Sequence, residues 1–238
     1  MTAPVRIVLI DPSHPGNIGS VARAMKNMAI TDLVLVRPRS FPHPESNMLA
    51  AGADDVLENA RIVSTVSEAV ADCGFVAGAT ARQRSYYWEF TTPRDVAARI
   101  VGLPDDNRVA LLFGSEKYGL GTEDLQYCNV LVRIPANPDY CSLNLAMSVQ
   151  LLTYEILMAR ESPQTRTQLE LPLAPAGDVE HFYNHLHQVL EEIDFGDKTG
   201  HLMERIRRLF NRAQMDRNEL NIMRGILSAV QKRRRQPG

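Results

Sequence analysis

Short apolar runs alternate with amphipathic stretches through the first two thirds of the chain. Residues 5–11, 33–36, 74–80, 108–113 and 129–134 are compact apolar runs of the kind that form buried strands, and Ile62-Val63 marks a shorter one. Between them the apolar positions follow the helical period. Val21, Ala24, Met25 and Met28 share one face of a helix predicted over residues 17–28. Residues 48–58 read as a helix interrupted at Gly52, and residues 65–72 as one with Thr65 and Glu68 in capping-box spacing. Residues 93–101 open on Pro93, and residues 122–127 form a short helix behind Thr122. Strands separated by helices predict an α/β fold with a parallel sheet flanked by helices.

The strand at 129–134 ends in a loop holding Pro135 and Pro138, which can neither continue a ladder nor sit inside a helix. Ser142 and Asn144 then open a helix predicted to run to Arg160, at positions where small oxygen-bearing side chains cap free amides. A strand end feeding a helix start offers unpaired backbone N–H groups to a ligand. This helix carries two apolar stripes, one of Leu145, Val149, Leu152 and Ile156, the other of Met147, Leu151, Tyr154 and Met158. One stripe suffices to cover a sheet. The second fits contact with another subunit, or a core helix buried on both sides.

Beyond it, residues 161–177 hold Pro163, Pro172 and Pro175 and read as a linker between a domain at 1–160 and a module at 178–238. That module is predicted all-helical, with helices over 178–194, 202–213 and 219–232. Some 60 residues are few for an independent core, so the module is expected to lean on a dimer or on RNA. His181 and His185 stand four apart as metal ligands can, but no third ligand accompanies them, and solvent-facing histidines explain them better. No metal site is expected.

The net charge of −2 hides an asymmetry. From Gly200 to Gly238 there are ten Lys and Arg against three acids, a net +7, which leaves −9 for the first 199 residues. A basic tail on an acidic body is either a polyanion contact or a solvated helix face with a frayed end. No apolar run reaches the roughly 18 residues of a membrane span, and the start shows no signal-peptide pattern. Cys73, Cys128 and Cys141 are too scattered for a disulfide framework or a zinc site, which fits a reducing cytoplasm.

Candidate chemistry gathers where strands end. Gly16 and Gly19 flank Asn17 after the first strand, a pattern that matches neither the dinucleotide fingerprint nor a P-loop. Arg23 and Lys26 share a helix face there; by spacing alone Arg23 could be an ordinary surface arginine. Ala79, Thr80 and Ala81 mark the carboxyl end of the strand at 74–80, the edge where open α/β sheets bind ligands. Residues 82–88 mix Arg82 and Arg84 with three aromatics, which suits bases and phosphates or packing on the body. Gly114 and Gly119 permit close backbone approach, while Glu116 between them either braces the loop or meets substrate. Cys141 has no histidine near it in sequence to activate it as a nucleophile.

Three segments, Asn17-Ile-Gly-Ser-Val-Ala-Arg23, Phe113-Gly-Ser-Glu-Lys-Tyr-Gly-Leu120 and Ile134 through Ser142-Leu-Asn144 to Ala146, together resemble the three motifs of the TrmH-like SPOUT methyltransferases. Within that class the chain is similar to the bacterial TrmJ-type tRNA 2′-O-methyltransferases, over residues 5–158. The resemblance implies a parallel sheet ending in a trefoil knot, where connection rules alone predict an un-knotted sheet. It implies S-adenosylmethionine as cofactor, a homodimer, a tRNA partner, and methylation of the cytidine or uridine ribose at position 32 of the anticodon loop. It places Arg23, Ser142, Asn144 and Glu116 at the catalytic centre. The cofactor would lie against Ala79, Thr80, Ala81, Gly114, Gly119, Ile134, Cys141, Ser142 and Leu143, and the RNA against Asn17, Lys26, Arg82 and Arg84. Ala29 departs from the glycine that usually closes the first motif's helix.

An arginine with a pKa above about 12 rarely gives up its proton. Arg23 is therefore expected to orient the hydroxyl and stabilise the developing alkoxide, with Ser142 or a substrate phosphate relaying the proton. The rival expectations are a non-catalytic RNA-binding relative, an enzyme acting on another tRNA position or on rRNA, and an α/β enzyme taking a different nucleotide.

Overall fold

The structure is a computed structural model that describes residues 3–81, 88–161, 171–195 and 201–235. Its centre is a seven-stranded sheet in the order β3-β2-β1-β6-β4-β7-β5, parallel throughout. β1 (Val5–Ile10) and β6 (Val109–Phe113) lie in its middle and are buried at every residue, as continuous apolar runs require. β2 (Asp32–Val36) and β3 (Arg61–Val63) extend one side, and β4 (Phe75–Ala79), β7 (Val130–Val132) and β5 (Phe90–Thr91) the other. At two residues β5 is shorter than any periodic signal, and the sequence reading did not predict it.

Alternation along β1 divides the core. Ile7 and Leu9 face a cluster completed by Ile18, Val21 and Met25 of α1 (Pro15–Asn27), Val96 and Ile100 of α5 (Pro93–Val101), and Val149, Leu152 and Ile156 of α7 (Leu145–Glu161). Val8 and Ile10 face the other side, against Val66 and Val70 of α4 (Val66–Val70) and Leu125 of α6 (Thr122–Leu125). The helix expected at 48–58 is two helices, α2 (Pro44–Ala50) and α3 (Asp54–Glu58). Pro44 opens α2 at its first turn, and positive φ at Ala51 and Gly52 separates the pair. Pro15 likewise starts α1 two residues before the expected Asn17.

The last three helices, α8 (Ala176–Glu192), α9 (Leu202–Ala213) and α10 (Arg217–Arg235), close on a core of their own around Phe182, Tyr183, Val189, Leu220 and Leu227. Phe210 meets Phe182 edge-on, with ring centroids 5.1 Å apart. The module was expected to lean on a dimer or on RNA; in the structure it leans on its own chain. Asn211 of α9 donates to the carbonyls of Gln126 (2.8 Å) and Cys128 (3.3 Å), and its own carbonyl accepts from the Asn129 side chain (3.0 Å). Ala176 and Gly177 donate to the carbonyls of Cys73 and Ala71, and Leu173 to the Asn107 side chain, so residues 173–177 of the expected linker are packed. A core too small to stand alone thus gains a polar seat beside the amino ends of β4 and β7.

Candidate active site

The opposite, carboxyl edge of the sheet carries the three loops singled out in the sequence. The first joins β1 to α1, the second follows β6, and the third joins β7 to α7. Glycine shapes the second: a Cβ on Gly114 would sit 2.0 Å from the Gly119 carbonyl carbon, so no other residue fits. Ser115 and Gly119 close this turn with a backbone hydrogen bond of 2.8 Å, and Gly119 has φ +64. In the first loop's helix, a Cβ on Gly19 would fall 2.1 Å from the Ser46 carbonyl oxygen, so glycine lets α1 and α2 touch.

Glu116 fastens the second loop to the first. Its carboxylate accepts from the Ser13 hydroxyl (2.6 Å), the backbone N–H groups of Ser13 (3.0 Å) and His14 (3.2 Å), and the Asn17 side-chain amide (2.9 Å). Partial burial pushes its pKa up, but the bonds from Ser13 and Asn17 outweigh that and hold it at about 2. Asn17 continues the chain of bonds, accepting from the side-chain amide of Asn144 at 3.2 Å. The side-chain oxygen of Asn144 in turn accepts from Ala146 N–H (2.8 Å) and Met147 N–H (3.4 Å), capping α7. Of the two readings left open for Glu116, loop bracing is the one the geometry displays.

Between the ends of β4, β6 and β7 opens a cavity of about 630 Å³, within the range that holds small molecules and cofactors. All nine residues expected around a cofactor line it: Ala79, Thr80, Ala81, Gly114, Gly119, Ile134, Cys141, Ser142 and Leu143. The sequence reading missed Phe113, Ser115, Lys117, Leu145 and Ser148 on the same wall, and gave Glu116 a catalytic place rather than a place on it. Helical spacing could have found Ser148, which is three residues after Leu145 and donates to the Asn144 carbonyl at 3.1 Å. The wall mixes apolar faces (Ala79, Ala81, Ile134, Leu143) with hydroxyls of Thr80, Ser115, Ser142 and Ser148. A ligand with both apolar and hydrogen-bonding parts fits that composition.

Two expected residues, Arg23 and Lys26, stand apart from the cavity wall. Arg23 is on the exposed side of α1, off the cavity wall, and no hydrogen bond or ion pair engages it among the described residues. Lys26, expected to contact substrate, instead reaches the Asp55 carboxylate (2.7 Å) and the Gly52 carbonyl (2.9 Å), because its long stem carries the ammonium across to α3. Arg82 and Arg84 lie outside the described residues. On α7 the two stripes separate cleanly: Leu145, Val149, Leu152 and Ile156 are buried, while Met147, Leu151, Tyr154 and Met158 are exposed. No group of three or more His, Cys, Asp or Glu among the described residues could hold a metal ion, and no described helix is long and apolar enough to cross a membrane.

A parallel sheet flanked by helices, with three strand-end loops tied together beside a cavity, defines an α/β protein whose cavity opens at the carboxyl edge of the sheet, the edge where such folds bind ligands. The profile of the SpoU rRNA methylase family matches residues 4–154, and that of the C-terminal domain of the tRNA methyltransferase TrmJ matches residues 177–238. The chain belongs to the SpoU methylase family. It is 47% identical over 235 residues to a tRNA (cytidine/uridine-2′-O-)-methyltransferase TrmJ of Photorhabdus laumondii, covering 96% of this chain and 97% of that one. A tRNA (cytidine/uridine/adenosine-2′-O-)-methyltransferase TrmJ of Pseudomonas aeruginosa is 44% identical, over 96% of this chain and 94% of its own. The crystal structure of TrmJ from Zymomonas mobilis (Z. mobilis ZM4) superposes with a TM-score of 0.85 at 34% identity, over 96% of this chain and all of that one. The family uses S-adenosylmethionine.

Proposed function

We propose that this chain transfers a methyl group from S-adenosylmethionine to a ribose 2′-hydroxyl of tRNA, on cytidine or uridine at position 32 of the anticodon loop, in the cytoplasm. The observation that carries the reading is the convergence of all nine expected cofactor residues on one cavity wall. The Glu116–Asn17–Asn144 chain of bonds supports it by joining the three loops into one frame.

In this reading the wall from Thr80 through Gly114 to Ser142 and Leu143 holds the cofactor, which supplies an electrophilic methyl group when bound. Orientation then does most of the work, since an in-line displacement needs the nucleophile aligned. Arg23 orients the 2′-hydroxyl and stabilises its developing charge, and Ser142 or an RNA phosphate receives the proton. Glu116 and Asn144 are positioning residues that hold the loops.

Arg23 is outside the cavity of its own chain, and the neighbouring helix α7 exposes Met147, Leu151, Tyr154 and Met158. The reading therefore takes a homodimer paired through α7, in which one protomer's Arg23 serves its partner's cavity. It takes the carboxyl part of the domain at 1–160 as a trefoil knot, and the module at 178–238 as a phosphate-binding extension. On α9, Arg205, Arg208 and Arg212 fall on one face, a spacing suited to an RNA backbone.

The test is methyl transfer from labelled S-adenosylmethionine to an unmodified tRNA transcript, with nucleoside mapping of the product. Label at the ribose of position 32, lost in Arg23→Lys with cofactor binding retained, is the expected result. Label elsewhere moves the substrate position, and no label with any tRNA overturns the proposal.

A further inference from the structure

Two exposed tyrosines, themselves off the wall, adjoin cavity-wall residues in sequence, each on a different loop. Tyr118, 59% exposed, lies between Lys117 and Gly119; Tyr140, 79% exposed, precedes Cys141 and Ser142. A single exposed aromatic is ordinary; two on loops that both contribute to one cavity wall offer a contact surface for a ligand at its mouth. The backbone of each is held in a turn. Tyr118 rides on the turn closed by Gly114 and Gly119, its N–H reaching the Ser115 hydroxyl at 3.3 Å. Tyr140 ends a turn in which its N–H donates to the Asn137 carbonyl (2.9 Å) while the Asn137 side chain accepts from Asp139 N–H (3.0 Å).

Lys117 adds a charge. Its ammonium is 5.1 Å from the centroid of the Tyr118 ring, and no carboxylate among the described residues pairs with it. A ring backed by an unpaired cation presents to solvent a surface for a flat π system carrying negative charge nearby, which is the description of a nucleotide. Geometry narrows the occupant further. If a ribose oxygen must reach a methyl group held in this cavity, the base on that ribose lies at the cavity's mouth, beside these residues.

We propose that Tyr118 and Tyr140 bracket the target nucleobase by stacking, with Lys117 meeting an adjacent phosphate. This rests on the methyl-transfer reading above and adds the residues that hold the base. Stacking reads the π face rather than the hydrogen-bonding edge, so the bracket accepts cytidine and uridine alike.

The test compares Tyr118→Ala, Tyr140→Ala, the double variant and the two Phe variants in steady-state methyl transfer to an unmodified tRNA transcript. Cofactor affinity is measured by calorimetry and oligomeric state by sedimentation. Each Ala variant is expected to raise KM for tRNA about 5- to 150-fold, the range of one lost base–aromatic stack, while each Phe variant stays within about twofold of wild type. Cofactor affinity and sedimentation should not move. An unchanged KM in the double variant overturns the bracket, and so does a Phe variant as poor as its Ala counterpart, which would assign the effect to the hydroxyl. A loss that tracks weakened cofactor binding or a broken oligomer also overturns it, in favour of wall support or a subunit contact. Absence of turnover in the wild-type protein is a separate result and strikes the methyl-transfer reading instead.

Discussion

The side-chain amide of Asn144 donates to that of Asn17 across 3.2 Å, although 127 residues separate them in the chain. Through this bond the cap of α7 is coupled to the start of α1, and through Asn17 to the carboxylate of Glu116. Each loop alone is short and polar. Tied together, they hold one wall with little freedom left to lose when a ligand arrives.

Four donors converge on the two oxygens of Glu116, so Glu116→Gln is not a conservative change. Glutamine keeps one acceptor oxygen and turns an NH2 group toward donors that then lack a partner. Leaving a partly buried donor unsatisfied costs about 1–3 kcal/mol. Denaturant unfolding should show a loss of that order, and methyl transfer should fall because the three loops no longer share a frame. Unchanged stability would mean that water replaces the carboxylate without cost.

The same carboxylate fixes a pH dependence. Its pKa is lowered from the ordinary 4.5 to about 2, so the folded state binds the proton less readily than the unfolded chain. Its contribution to stability is therefore complete above about pH 4.5 and disappears as pH falls toward 2. The stability difference between wild type and Glu116→Gln should be constant from pH 5 to 8 and shrink below about pH 4. The acid limb of the pH–rate profile should be unmoved by this substitution, because Glu116 stays ionised throughout it. A limb that shifts in the variant would assign a titrating role to Glu116.

Ala29 ends α1 in the left-handed region, with φ 54. Its N–H donates to the Lys26 carbonyl and the Ile30 N–H to that of Met25, the paired bonds of a Schellman cap. An L side chain is strained at such a position and glycine is not. Ala29→Gly should stabilise the protein by about 0.5–1 kcal/mol after the added freedom of the unfolded chain is set against the relieved strain. Thermal unfolding checks this, and methyl transfer should be unaffected.

Much of the fold was legible because it follows from period alone. Runs such as Val109–Phe113 are apolar at every position, and only a strand covered on both faces uses such a run. The cavity wall was legible for a different reason: each contributing segment carries a glycine, proline or small polar residue within three residues of a strand's end. What stayed hidden depends on distance in space. Nothing in residues 90–91 marks a two-residue strand, since β5 exists only by pairing with β7. The destination of Lys26 was equally hidden, because Asp55 becomes its neighbour only once α3 folds back. Asn211 reads as an ordinary helix residue until its side chain meets the carbonyls before β7. Arg23 was legible as a residue of interest, yet its place off the wall of its own chain is a fact of three dimensions.

Adjacent residues on α7 should respond in opposite ways to the same substitution. Leu152 is 1% exposed and Leu151 42% exposed. Leu152→Ala should cost about 2–5 kcal/mol, as large-to-small changes in a packed core do. Leu151→Asp should leave the fold intact; if copies pair through α7 as proposed, sedimentation should shift from dimer to monomer, and methyl transfer should fall with it if Arg23 serves the partner's cavity. A Leu151→Asp protein that remains dimeric would place the subunit contact elsewhere.

The three cysteines give a direct probe of the cavity. Cys141 is exposed on its wall, whereas Cys73 and Cys128 are buried. Burial pushes the Cys73 thiol up to about 12, against the pull of Arg6 beside it, and pushes the fully enclosed Cys128 thiol up as well. Thiolate is the reactive form, so both buried groups should be silent toward a thiol reagent at pH 8. Native protein should release one equivalent with Ellman's reagent and three after denaturation. Saturating S-adenosylmethionine should slow the single native reaction, because a ligand in the cavity covers the Cys141 sulfur. Full protection by the cofactor, absent with ATP or NAD at the same concentration, would tie the cavity to its expected occupant. Equal reactivity with and without S-adenosylmethionine would separate the two.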